Sequence, residues 1–83
     1  MKIRILFFSV LQDLVGAPEI EQDLAEGRQW LVSDVLADLY EKYEGLRVWD
    51  GKILLALDME YVERNVELKD GQELAIMPPV QGG

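Results

Sequence analysis

The sequence predicts an α+β domain, a mixed β-sheet carrying one principal helix. Three observations lead to it. Residues 2–9 and 19–24 run as strands with period-two faces, residues 32–43 repeat with the period of a helix, and residues 52–57 form a continuous apolar run suited to a covered strand. A further strand-like run, 73–77, leads into Pro78-Pro79, which fix φ and remove two backbone donors, so the ladder stops at Met77. The expected organisation is a domain over residues 1–77 and an extended, flexible Gly-Gly tail over 78–83.

In the first strand, Lys2 to Ser9, one face carries Ile3, Ile5 and Phe7 and the other Arg4, Leu6 and Phe8. Val10 to Val15 has apolar residues spaced for a short helical turn, closed by Gly16-Ala17-Pro18. Glu19 to Leu24 alternates, with Ile20 and Leu24 on one side and acids on the other, as a half-exposed strand does. Glu26-Gly27 turns the chain. The long helix then places Val32, Val35, Leu36, Leu39, Tyr40 and Tyr43 on one stripe, with Ser33 expected as its N-cap and Gly45 as its C-terminal stop. That stripe is too short for a free coiled coil and is read as core.

Leu46 to Gly51 is expected to connect, with Trp49 covering an edge of the core. Lys52 to Leu57 reads as a central strand covered on both sides. Asp58-Met59-Glu60 is a turn, Tyr61-Val62 a short strand, and Asp70-Gly71 the turn before the last strand. A single helix covers only one face of such a sheet. Leu6, Phe8, Leu54, Ala56, Ala75 and Met77 fall on the other face, so neighbouring first and last strands would bring Phe8 and Met77 together beside the root of the tail. An apolar patch there marks a protein interface.

With 83 residues the chain has room for one small core. At 49% hydrophobic and 29% charged residues it is too apolar for intrinsic disorder. No run is long enough for a membrane span and the first residues lack the pattern of a signal peptide, so a cytoplasmic location is expected. Cysteine and histidine are both absent, which removes disulfides, thiolate nucleophiles, imidazole bases and the usual zinc sites. Self-contained catalysis is not expected, nor a metal site. Sixteen acids against eight bases give a net charge of −8, which disfavours nucleic acid and anionic membranes.

What remains is the end of the chain. A terminal Gly-Gly arises by chance in only about 0.5% of sequences. Here it follows a Pro-Pro stem and Val80-Gln81, forming a thread thin enough for a narrow slot, and its distinctive chemical group is the α-carboxylate of Gly83.

Ile5-Leu6-Phe7-Phe8, Leu14-Val15-Gly16, Gly51 to Ala56, Glu60-Tyr61-Val62, Asp70 to Ala75 and the Pro78-Pro79-Val80 to Gly82-Gly83 ending together resemble the MoaD/ThiS family of ubiquitin-like β-grasp sulfur carriers, over essentially the whole chain. Within that family the details are most similar to the small subunits of molybdopterin synthase. The resemblance implies that Gly83 is adenylated with ATP by an E1-like enzyme of the MoeB type and converted to a thiocarboxylate (1-thioglycine). It then donates sulfur to precursor Z, cyclic pyranopterin monophosphate, inside a MoaE-like large subunit. The domain binds no cofactor of its own; Val80, Gln81 and Gly82 thread the partner's channel, while Phe8, Met77, Pro78 and Pro79 meet the partner. The chain departs from the family pattern at Met77, at Gln81 and at Leu31, where a capping threonine is common. The same ending also suits a sulfur carrier for thiamine or tRNA thiolation, a ubiquitin-like protein modifier, or a non-covalent interaction module.

Overall fold

Alternation in three segments, and a helical stripe wide enough to cover them, produce the layered arrangement of the computed structural model, which describes residues 1–79. In chain order the elements are β1 (Lys2–Phe7), α1 (Val10–Val15), β2 (Glu19–Asp23), α2 (Val32–Lys42), α3 (Glu44–Arg47), β3 (Leu54–Leu57), β4 (Glu60–Tyr61) and β5 (Glu73–Met77). The sheet runs β2-β1-β5-β3-β4. β1 and β5 are parallel, and the other neighbours are antiparallel. The last strand is therefore the middle of the sheet, and the chain leaves the domain from its centre.

The core lies between the sheet and α2. Ile3, Ile5 and Phe7 of β1, Leu74 and Ile76 of β5 and Leu55 and Leu57 of β3 meet Val32, Val35, Leu36 and Leu39 of α2, all buried. Each such side chain contributes about 1.5–3 kcal/mol on burial. Leu11 of α1 and Leu46 of α3 close one end of the core.

The start of α2 differs from expectation. The helix begins at Val32 with Leu31 as N-cap, so Ser33 lies inside the first turn. Leucine has no capping oxygen, and Asp34 supplies the polar contact instead: its carboxylate accepts the Leu31 N–H at 2.8 Å and pairs with Arg28 at 3.1 Å. The open N–H groups of Val32 and Ser33 donate to the carbonyls of Val66 and Arg64 at 3.0 and 2.9 Å. The segment before β5 thereby does the work of a missing side-chain cap.

Gly45 is not the stop of α2 either. The helix ends at Lys42, the chain bends at Tyr43, and Gly45 sits within α3. A Cβ there would lie 3.0 Å from Leu14 Cδ2, so the residue lets α1 and α3 approach closely. The connecting stretch after Gly45 is thus partly helical. β3 is, as expected, an interior strand with Leu55, Ala56 and Leu57 buried, lying between β5 and the two-residue β4, but it starts at Leu54 and not at Lys52.

The β3–β4 loop is Asp58-Met59, with φ of 48° and 72°. Both residues are left-handed, as the tight hairpin turn matching strand twist requires. Asp58 also accepts the Glu73 N–H at 3.0 Å, whereas Met59 is 91% exposed and its conformation is uncompensated. Met59→Gly is expected to stabilise the domain by about 0.5–1 kcal/mol and raise its midpoint by roughly 4 °C. A lower midpoint in a thermal melt would contradict this account.

Candidate functional site

The face of the sheet away from α2 divides into two halves. Register places Leu6 beside Ala75, Ala75 beside Ala56, and Met77 beside Leu54, so these side chains share one surface. The parallel ladder sets Phe8 next to Met77, and the Phe8 N–H donates to the Ile76 carbonyl at 3.3 Å. Nearer the strand origins the same face is charged: Arg4 pairs with Glu73 at 2.7 Å and with Glu19 at 3.8 Å. The apolar half is the one from which β5 runs out towards the tail.

A groove of about 480 Å³ occupies that half, lined by Phe8, Ser9, Val10, Trp49, Leu54, Tyr61, Met77, Pro78 and Pro79. No lining side chain is charged. Phe8 remains 41% exposed at its mouth. Ser9, between β1 and α1, has φ 52° and ψ −132°, a backbone state costing about 1–3 kcal/mol for a residue with a Cβ. The turn it makes sets Phe8 and Val10 on the two sides of the bend.

The structure therefore brings four of the expected site residues, Phe8, Met77, Pro78 and Pro79, to one groove. Val80, Gln81, Gly82 and Gly83, the residue expected to be the reactive end, lie outside the described residues. Ser9, Val10, Trp49 and Tyr61 are additions that sequence reasoning missed. Tyr61 carried a usable signal: a two-residue turn at Asp58-Met59 pairs it with Ala56, on the open face. Trp49 carried none, because its place depends on α3.

Behind Trp49 a polar cluster fixes three segments. The Tyr40 hydroxyl donates to Asp50 Oδ1 at 2.6 Å, and the Arg64 guanidinium donates to the same oxygen and to the Asp50 carbonyl. Burial first, and then the hydrogen bond to Asp50, push the Tyr40 hydroxyl up to about 12. The same bond, with that from Arg64, holds the Asp50 carboxyl below its ordinary value, and Asp50 raises the Arg64 guanidinium. A tyrosine whose folded value lies above its unfolded one stabilises fully below pH 10, and that contribution is lost as pH rises through about 12. Tyr40→Phe should cost about 1 kcal/mol near neutrality and show a flatter loss of stability between about pH 10 and 12. Parallel alkaline slopes in denaturant titrations of the two proteins would refute it.

Among the described residues no three His, Cys, Asp or Glu side chains are grouped to hold a metal ion, and no helix is long and apolar enough to cross a membrane. Among the described residues the site is an uncharged surface groove beside the end of β5.

Such a mixed five-stranded sheet packed on one principal helix, with the parallel pair β1 and β5 at its middle, is the ubiquitin-like β-grasp. The chain belongs to the ThiS family, whose sequence profile matches residues 5–83. It is 33% identical to a Chlamydomonas reinhardtii protein named molybdopterin synthase sulfur carrier subunit, over the whole of both chains. It is 34% identical to the Escherichia coli protein of that name, covering 98% of this chain and 99% of the other. Among solved structures, a putative molybdopterin converting factor subunit 1 from Pyrococcus furiosus superposes with TM-score 0.82 at 27% identity, over 96% of this chain and 99% of that one. The small archaeal modifier protein 1 from Methanosarcina acetivorans gives 0.81 at 27%, over 99% and 96%. A chain from a complex of subunits 1 and 2 of the molybdopterin-converting factor of Helicobacter pylori gives 0.70 at 25% identity, over all of both chains.

Proposed function

We propose that the chain is the sulfur-carrier subunit of a molybdopterin synthase, with the Gly83 carboxylate as its working group. The observation that carries the reading is the uncharged groove at the root of the tail, in a chain whose family match runs to Gly83. A carboxylate is a poor acyl donor. Attack on the α-phosphate of ATP by the Gly83 carboxylate, bound to an E1-like enzyme, makes an acyl adenylate and releases pyrophosphate; hydrosulfide-level sulfur then displaces AMP and leaves the thiocarboxylate. Its sulfur displaces an oxygen substituent from a side-chain carbon of the pterin precursor held by the large subunit, and water then cleaves the acyl–sulfur bond, leaving the sulfur on the product and returning the carboxylate. None of these steps needs a cysteine or histidine from this chain, and none is present.

The groove supplies what the chemistry lacks here, a dry surface by which partners hold the domain while the tail enters their active sites. Its apolar lining, on a face whose other half carries the Arg4, Glu73 and Glu19 ion pairs, is the composition of a protein interface. The excess of acids favours partners with basic surfaces.

The test uses the missing cysteines. The chain, isolated from its source cells, is treated with a thiol alkylating reagent and its intact mass and C-terminal peptide are measured. An adduct on the peptide ending in Gly83 is expected. None, even after incubation with an activating enzyme, ATP and a sulfur donor, would sink the carrier reading. The likeness to an archaeal modifier protein supports a second reading, isopeptide attachment to target lysines. Branched peptides bearing the Gly83 end on other proteins would favour it.

A further inference from the structure

A concavity of about 680 Å³ lies beside the start of β3, along the part of that strand which β4 leaves uncovered. Residues from both faces of the sheet border it. Leu55, Val62 and Ile53 belong to the core side, and Leu54 and Tyr61 to the open side. A gap bordered by both faces lies in the plane of the sheet, where a further strand would run.

The backbone along this edge is open. β4 has two residues, and its pairing with β3 ends where the Val62 N–H donates to the Leu55 carbonyl at 3.0 Å. Beyond Val62 the chain leaves for α2, where the Arg64 carbonyl accepts the Ser33 N–H. The alternation that turns the Leu55 carbonyl towards β4 turns the Ile53 groups the same way. The Ile53 N–H, the Ile53 carbonyl and the Leu55 N–H make no hydrogen bond among the described residues.

We propose that this edge takes an extended segment of the large subunit that receives the tail, added as a strand beside residues 53–55, with a lysine or arginine against Glu63. The inference rests on the sulfur-carrier reading for the identity of that partner. Continuity selects the occupant: Leu54 and Tyr61 line both this gap and the tail-root groove, so a protein seated at the tail root already covers one wall. Charge selects its composition. Glu60 and Glu63 are exposed with no cation in salt-bridge range among the described residues, and the adjacent Arg64 is held by Asp50. Free donors and an acceptor spaced along a strand are met by another backbone, the basis of recognition by strand addition.

Amide exchange in the ¹⁵N-labelled chain tests this, with and without the purified large subunit of molybdopterin synthase from the same source. Exchange at Ile53 and Leu55 is expected to slow at least tenfold in the complex. Perturbation around Phe8 without protection at Ile53 and Leu55 would overturn the strand addition and leave the proposed function standing. No perturbation anywhere would remove the partner and this inference with it, while the alkylation result separately decides the carrier chemistry. Protection in the free chain that grows with its concentration would assign the edge to a second copy, also overturning the proposal. Glu63→Lys should weaken the complex at least threefold at low salt, and unchanged affinity would exclude the basic counterpart.

Discussion

A chain lacking Gly82 and Gly83 should form no alkylatable adduct and support less than about one hundredth of normal molybdopterin formation, yet melt with the full-length domain. The chemical loss follows from reach. Two residues of extended chain span about 7 Å, whereas reacting atoms must come within about 3–3.5 Å, and a misplacement of only about 1 Å costs roughly a hundredfold. The new terminus, Gln81, also brings a Cβ and an amide to the place where an unbranched end is required. The unchanged melt follows from the position of the core, whose buried side chains run from Ile3 to Ile76. Separating the two readouts matters: a drop in both would show that the tail stabilises the domain. Full molybdopterin formation by the truncated chain would leave only a non-covalent interaction module.

The layered fold was legible because period and burial coincide. Ile3, Ile5 and Phe7 alternate with polar or partly exposed neighbours and are all buried, and the stripe Val32, Val35, Leu36 and Leu39 is the buried face of α2. The open face could be read for the same reason, since period two fixes which residues share a surface once strands are adjacent. The errors arose where a local signal has two uses. Ser33 suits a cap, but Leu31 is paired to Glu67 in an isolated bridge, which fixes the chain direction two residues earlier and gives the polar role to Asp34. Gly45 suits a helix stop, but it serves as a packing site for Leu14. The continuous apolar run at Lys52 to Leu57 does mark an interior strand, but its pairing begins only at Leu54, because an apolar run carries no signal for where the ladder starts. Trp49 and the Tyr40–Asp50–Arg64 cluster depend on contacts between distant segments, which no period in the sequence encodes.

Phe8→Asp should weaken binding of the large subunit by about thirtyfold or more, equivalent to about 2 kcal/mol, without changing the fold. Phe8 stands at the mouth of a groove with no charged lining, and closing a partner over that groove would strand the new carboxylate without water or a counter-ion. Leaving a charge unpaired in a desolvated site is the costly case, far beyond the loss of apolar contact. The fold should survive because Phe8 is 41% exposed and lies outside the core that Phe7, its buried neighbour, helps to form. Met59→Asp is the control: Met59 is more exposed still, lines neither groove, and sits in a left-handed turn that aspartate tolerates. Calorimetry should therefore find affinity lost with the first variant and kept with the second. Equal affinities would move the interface away from the tail root, and equal losses would make net charge, not the dry groove, the determinant of binding.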